Sequence, residues 1–165
     1  MSLVVHKYGG TSMGSVERIQ NVARRVATWV KAGYQVVVVP SAMSGETNRL
    51  LALAKEVNPN AADLCPREMD MIAATGEQVS VGLLAIALQS IGVDAVSYTG
   101  WQVPVRTNDA FMKARIESID GTRVRKDLDA GKVVIITGFQ GVDQNNNITT
   151  LGRGGSDTSA VAVAA

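Results

Sequence analysis

The chain has 165 residues, 46% of them hydrophobic and 4% aromatic, and its 16 basic side chains against 15 acidic ones leave a net charge of +1. That length supports one domain whose aliphatic core hides about two thirds of its unfolded surface, and charge so balanced leaves no footprint for a nucleic acid or an anionic membrane. The single cysteine, Cys65, cannot form an intrachain disulfide and gives no sign of an oxidising compartment.

Leu3-Val4-Val5-His6-Lys7 reads as a buried strand that stops at the turn Gly9-Gly10. From Val16 the apolar positions change spacing: Ile19, Val22, Ala23, Val26, Ala27 and Val30 form one helical stripe that ends at Gly33, with Ser15 as its N-cap. Gln35 to Pro40 carries four consecutive valines, the pattern of a parallel strand covered on both faces. A loop from Ser41 to Thr47 leads to a helix through Leu50, Leu51, Leu53 and Ala54, closed by Asn58-Pro59-Asn60. Helices follow over Pro66 to Ala74 and Glu77 to Ile91, broken at Thr75-Gly76. Val93 to Thr99 and Lys132 to Thr137 read as strands, with a short amphipathic helix from Arg123 to Ala130 between them. The polar run Asp143 to Asn147 is the tip of a hairpin joining Gly138-Phe139-Gln140 to Ile148-Thr149-Thr150.

Strands alternating with helices predict an α/β domain with a mainly parallel sheet. No uninterrupted apolar run reaches the length of a membrane span, and Met1 to Lys7 has neither the basic nor the apolar region of a signal peptide, so a cytoplasmic protein is expected. Ser156 to Ala165 reads as a helix without a closing cap, which leads to the expectation that the chain continues beyond Ala165.

In open α/β sheets ligands sit outside the carboxyl ends of the strands. The loops there are Lys7-Tyr8-Gly9-Gly10-Thr11-Ser12, Ser41-Ala42-Met43-Ser44-Gly45-Glu46-Thr47, Gly138-Phe139-Gln140-Gly141 and Gly152-Arg153-Gly154-Gly155-Ser156-Asp157. Glycines beside small hydroxyl residues suit phosphates and carboxylates, because the backbone can approach the anion and present its amides. Two other phosphate motifs fail on spacing. Gly9 to Ser15 lacks the lysine of a P-loop, and Gly152-Arg153-Gly154 has Asp157 where a dinucleotide fingerprint needs glycine. Phosphoryl transfer needs cations against the migrating charge, for which Lys7 and Arg153 are candidates. A carboxylate acceptor is already ionised at neutral pH and needs no general base, which suits a chain whose one histidine, His6, lies within a strand. Cys65 has no histidine or second cysteine nearby, and no metal site is expected.

These four loops and Thr75-Gly76-Glu77, in this order and spacing, resemble the signatures of the aspartate kinases, within the wider amino acid kinase family. The resemblance covers nearly the whole chain. It implies the three-layer αβα fold of that family, also called carbamate kinase-like, with residues 1–165 forming only its N-terminal, acceptor-binding lobe. Family members continue into a nucleotide lobe and regulatory ACT domains. The implied activity is transfer of the γ-phosphoryl group of ATP, with Mg²⁺, to the β-carboxylate of aspartate, in the biosynthesis of lysine, threonine and methionine.

By the same resemblance Lys7 stabilises the transferring group and Asp157 organises that lysine, while Lys7, Tyr8, Gly9, Gly10 and Ser41 hold ATP. Ser41, Thr47, Glu77, Phe139, Arg153, Gly154, Gly155 and Ser156 hold aspartate. The partners implied are these two small molecules, with no nucleic acid or membrane, and a homo-oligomer at full length; the 165 residues alone are expected to have little or no activity. Taken without the resemblance, Glu77 reads as an acid in the first turn of a helix, Ser41 and Thr47 as caps, Phe139 as core, and Arg123, Arg125 and Lys126 as a solvated helix face. A related kinase acting on glutamate or acetylglutamate, and a non-catalytic binding or assembly module, remain the alternative readings.

Overall fold

The computed structural model describes residues 2–152 and 163–164. Its elements in chain order are β1 (Leu3–Tyr8), α1 (Val16–Lys31), β2 (Gln35–Pro40), α2 (Glu46–Val57), α3 (Ala61–Leu64), α4 (Pro66–Ala73), α5 (Thr75–Ser90) and β3 (Ala95–Tyr98). There follow β4 (Val105–Thr107), β5 (Ile116–Ile119), α6 (Thr122–Asp129), β6 (Val133–Ile136), β7 (Gln140–Val142) and β8 (Ile148–Thr150).

Four of these strands form a parallel sheet in the order β1-β2-β6-β3. The valines of β2 show why it is central. Val36 and Val38 face a core built with Ile19, Val22 and Val26 of α1 and Val81, Leu84 and Leu88 of α5. Val37 and Val39 face the opposite way, onto Val105 and onto Val124 and Leu128 of α6. Burying each such aliphatic side chain contributes roughly 1.5–3 kcal/mol, so a strand buried on both faces anchors both layers at once. The predicted α/β architecture with a parallel sheet is therefore present, with α1 and α5 on one face. On the other face α6 shares the layer with β4.

α1 begins where expected: the Ser15 hydroxyl accepts from the Arg18 N–H at 3.2 Å, and the apolar stripe faces the sheet. Three expectations change. β1 is the edge of the sheet and half exposed, with Lys7 open to solvent, because no strand among the described residues lies beyond it. The break between α4 and α5 falls at Ala74, and Thr75 and Gly76 already belong to α5; the Thr75 hydroxyl donates to the Ile72 carbonyl across the bend at 2.7 Å. α4 and α5 together run from Pro66 to Ser90 and include a window apolar enough to cross a membrane by composition, half of it buried in the protein's own interior.

The second sheet has the order β5-β4-β7-β8, of which the sequence predicts only the β7–β8 half. The hairpin β7–β8 is where the sequence places it. Its tip is organised by Asp143, which accepts from the backbone N–H groups of Asn145 and Asn147 at 2.9 and 2.8 Å. β4 and β5 are additions, joined to the hairpin through Arg106 opposite Val142.

His6 packs edge-on against Trp29, ring centroids 5.0 Å apart, and burial lowers its pKa. Trp29 remains 40% exposed. Arg123 stacks over Tyr98 at 4.4 Å and Arg125 donates to Gln35 at 3.3 Å, so two of the three basic residues on α6 are engaged with the protein. Cys65 is exposed, and its backbone carbonyl accepts from Glu68 and Met69 at the start of α4.

Candidate functional site

Parallel register places the carboxyl ends of β1, β2 and β6 side by side. The Ser41 N–H donates to the Tyr8 carbonyl at 2.8 Å, extending the β1–β2 ladder by one bond and tying the two following loops together. Gly10 lets those loops touch, since a Cβ on it would stand 3.4 Å from the Ala42 carbonyl and 3.5 Å from Ser44 Cα. The Lys7 ammonium lies 3.5 Å from where a Cβ on Gly9 would be. The cation is thus folded back over the glycine pair. Beside it, toward α1, a groove of about 670 Å³ is lined by Tyr8, Ser12, Ser15, Arg18, Asn21 and Arg25 among others.

Neither Ser41 nor Thr47 caps α2. Its N-cap is Gly45, in the left-handed region at φ +77°, with no side-chain bond to the helix. Thr47 instead lies within the first turn of α2, where its hydroxyl faces α5: a Cβ on Gly76 would be 3.7 Å from Thr47 Oγ1 and 3.0 Å from the Ala42 side chain. The Ser80 hydroxyl fixes this junction by donating to the Ser41 carbonyl at 2.8 Å.

One turn before Ser80 on α5 stands Glu77, whose surface is only 3% exposed. A first-turn acid on a solvated helix would be open to water. Here the carboxyl is enclosed by the Ser41–Thr47 loop and the start of β7. Burial pushes its pKa up to about 7. Donation from the backbone N–H groups of Glu77 and Ala42 and from the Gln140 side chain works in the opposite direction. A buried carboxyl with only partial compensation is costly to ionise unless a cation arrives.

Phe139 lies between β6 and β7, half-buried, at φ +72°. Non-glycine residues in that region cost of order 1–3 kcal/mol and gather at functional sites. Its carbonyl accepts from the Leu151 N–H at 2.8 Å, bringing the chain end of β8 against this turn. The next residue, Gln140, is fully buried and donates through Nε2 to the Ala74 carbonyl at 2.9 Å and toward Glu77 Oε2 at 3.5 Å. Among the described residues its Oε1 has no partner, nor do the buried hydroxyls of Thr99 and Thr137.

The structure therefore brings Lys7, Gly9, Gly10, Ser41, Thr47 and Glu77 together around the strand ends, with Tyr8 and Phe139 at their borders. Arg153, Gly154, Gly155, Ser156 and Asp157 lie outside the described residues, as does most of the predicted terminal helix. The strand leading to them is well fixed: Asp70, on α4, accepts from the Thr150 N–H and hydroxyl at 2.8 and 2.7 Å and from the Met112 N–H at 3.0 Å. Gln140 and Asp70 were not among the candidates. For Gln140 the available signal is an amide side chain in the otherwise apolar, glycine-bearing run Gly138-Phe139-Gln140-Gly141. Asp70 gave none beyond being an acid among apolar helix residues.

An exposed cation over a glycine pair at one end, and a buried carboxyl at the other, suit two ligands of different charge: a polyanion at Lys7 and a small molecule carrying an ammonium at Glu77. The family model described as "Amino acid kinase family" matches residues 2–165. The chain is 59% identical over its whole length to an aspartate kinase of Pseudomonas fluorescens, of which it spans 40%. The solved aspartate kinase of Synechocystis superposes with a TM-score of 0.82 at 49% identity, covering 99% of this chain and 26% of that one. Escherichia coli aspartokinase III, solved in complex with aspartate and ADP, superposes with a TM-score of 0.84 at 27% identity, covering 99% of this chain and 46% of that one.

Proposed function

The chain belongs to the amino acid kinase family, and on that footing we propose that it forms the acceptor-binding part of an aspartate kinase. The reaction moves the γ-phosphoryl group of ATP to the β-carboxylate of L-aspartate, giving 4-phospho-L-aspartate. The observation that carries this reading is Glu77, a carboxyl buried to 3% exposure where the Ser41–Thr47 loop meets the start of β7, with its pKa pushed up to about 7 by burial and no positive partner among the described residues. The aspartate ammonium is such a partner.

In this reading Lys7 offsets charge on the migrating phosphoryl group, and the amides of Gly9 and Gly10, with Tyr8 and Ser41, receive the ATP phosphates. The fit is supported by the closeness of Lys7 to Gly9 and by the arginines of the adjoining groove, whose field favours an anion. ATP would bring Mg²⁺ on its phosphates, adding positive charge where the transferred group becomes most negative. Ser41, Thr47 and Phe139 border the acceptor, and Arg153 with Gly154, Gly155 and Ser156 takes its carboxylates through a planar fork and backbone donors. Asp157 orders the lysine. No side chain needs to remove a proton, because the attacking carboxylate is already ionised.

Because the chain spans two fifths of the Pseudomonas relative, the same proposal assigns adenine and ribose recognition, regulation and oligomer contacts to regions beyond these residues. It takes the protein to be cytoplasmic and to serve the aspartate-derived amino acids. A coupled assay of the full-length protein with ATP and Mg²⁺ tests it, offering aspartate, glutamate and acetylglutamate in turn. Phosphorylation of aspartate is expected; turnover of either other acceptor in its place would replace the reading with its neighbour in the family.

A further inference from the structure

We propose that Gln140 is a positioning residue for recognition of the acceptor's ammonium group, acting by holding the Glu77 carboxylate together with the backbone amides of α5 and the Ser41–Thr47 loop. The inference rests on the reading of the site given above and adds a residue to it.

Four observations converge. Gln140 is fully buried at the first position of β7, and its neighbours leave it no room to move. A Cβ on Gly100 would stand 2.4 Å from the Gln140 carbonyl, and one on Gly141 would stand 2.6 Å from both Val105 O and Thr107 Cγ2. The backbone that carries Gln140 is thus clamped between the turn after β3 and the strand β4.

The orientation of its amide is fixed as well. Nε2 donates to the Ala74 carbonyl at 2.9 Å, an acceptor that could not pair with the amide oxygen, so the NH₂ group must face α5. That carbonyl sits at the bend between α4 and α5, three residues before Glu77. The second proton of the same NH₂ group faces Glu77 Oε2 at 3.5 Å, a distance that catalytic contacts commonly shorten when the ligand is in place.

The Gln140 Oε1 is buried without a partner among the described residues, a state that costs roughly 1–3 kcal/mol and that leucine, of similar size, would avoid. A residue kept only to fill this volume would not be a glutamine. What glutamine supplies is one donor anchored on the helix bend and a second aimed at the carboxylate. The groups that bear on the Glu77 carboxyl are this amide and the N–H groups of Glu77 and Ala42; no charged side chain of the described residues figures among them. Without Gln140 the carboxylate keeps only its two backbone donors, and is both harder to ionise and freer to turn away from the ammonium.

The experiment compares full-length wild type, Gln140→Leu and Glu77→Gln for binding of aspartate and of succinate, which has both carboxylates but no ammonium, by isothermal titration. We expect Gln140→Leu to weaken aspartate about tenfold, the scale of one hydrogen bond to a charged group, while succinate binding changes less than about twofold. Raising the pH from 7 to 8.5 should restore part of the aspartate affinity in Gln140→Leu, since its Glu77 ionises later than in wild type. Equal weakening of both ligands would mean a packing defect and would overturn the proposal, as would unchanged aspartate binding. A wild type that binds no aspartate would bring down the reading of the site itself, an outcome distinct from either of these.

Discussion

Asp70 accepts two hydrogen bonds from Thr150, one from the backbone N–H at 2.8 Å and one from the hydroxyl at 2.7 Å. With the Met112 N–H also donating to it, one buried carboxylate joins α4, the loop before β5 and the strand that runs on toward Gly152. Burial raises its pKa, and these donors oppose the rise. Asp70→Ala leaves two N–H groups and a hydroxyl unpaired in the interior and is expected to lower stability by about 3 kcal/mol or more. Asp70→Asn, which keeps one acceptor oxygen, should lose roughly half as much. Urea unfolding of the two variants measures both; equal losses would mean that the hydrogen bonds do not decide the cost.

Glu77 sets up an opposition between stability and function. Its folded pKa of about 7 lies above the ordinary carboxyl value of 4.5, so the folded state favours the protonated form. The resulting stabilisation is complete below pH 4.5 and is lost as pH rises through 7. At pH 8 the ionised carboxyl therefore weighs against folding by about 3 kcal/mol. Glu77→Gln should be the more stable protein at pH 8 by up to that amount, with the difference closing toward pH 5, as thermal melts across pH would record. Its affinity for aspartate should fall at least about a hundredfold, since a charged contact is lost.

The same titration predicts the acid side of the activity profile. As pH falls from 8 to 6 the Glu77 carboxyl takes up a proton and the acceptor's ammonium loses its counter-charge. The KM for aspartate should rise over that window while the KM for ATP stays nearly flat. Initial rates at varied aspartate and fixed saturating ATP are sufficient to decide it; parallel changes in both constants would point to another group.

Lys7→Ala should act on turnover far more than on acceptor affinity, because the ammonium faces the glycine pair and matters most when charge develops on the migrating group. We expect kcat to fall about 10²–10³-fold with the aspartate KM within about twofold. A loss confined to KM would remove Lys7 from the chemistry.

Gly100 and Gly141 are required by proximity. Gly100→Ala drives a methyl group to 2.4 Å from the Gln140 carbonyl, and Gly141→Ala drives one to 2.6 Å from the Val105 carbonyl. These are backbone obstacles that cannot rotate away, so each change should cost about 1–3 kcal/mol and displace the Phe139–Gln140 turn. Reduced aspartate affinity together with a lower unfolding midpoint is the expected pair of results.

What the sequence disclosed followed the physics of each element. Four valines in β2 announce a strand buried on both faces, and Ser15 announces the start of α1, because period and capping are local properties. β4 and β5 were not legible: three and four residues, part of them exposed, exist as strands only through contacts such as Thr107 with Thr149, 42 positions apart. The break at Ala74 is not legible because Thr75 and Gly76 are the weaker helix formers, whereas the carbonyl at the actual bend accepts from Gln140, 66 residues away. The ligand loops were legible as glycine and hydroxyl clusters after apolar runs. The burial of Glu77 was not, since whether a first-turn acid faces water depends on which loops close over it.

The edge position of β1 gives Lys7 a second occupation. A strand whose outer amides have no neighbour among the described residues invites another strand to pair with it, and lysine on such an edge is a deterrent to that pairing. Within these 165 residues the charge that we assign to the reaction is therefore also expected to oppose pairing of one copy's β1 with another's. Removing it should make the protein more prone to aggregate as well as slower, and light scattering alongside the kinetics of Lys7→Ala would tell the two losses apart.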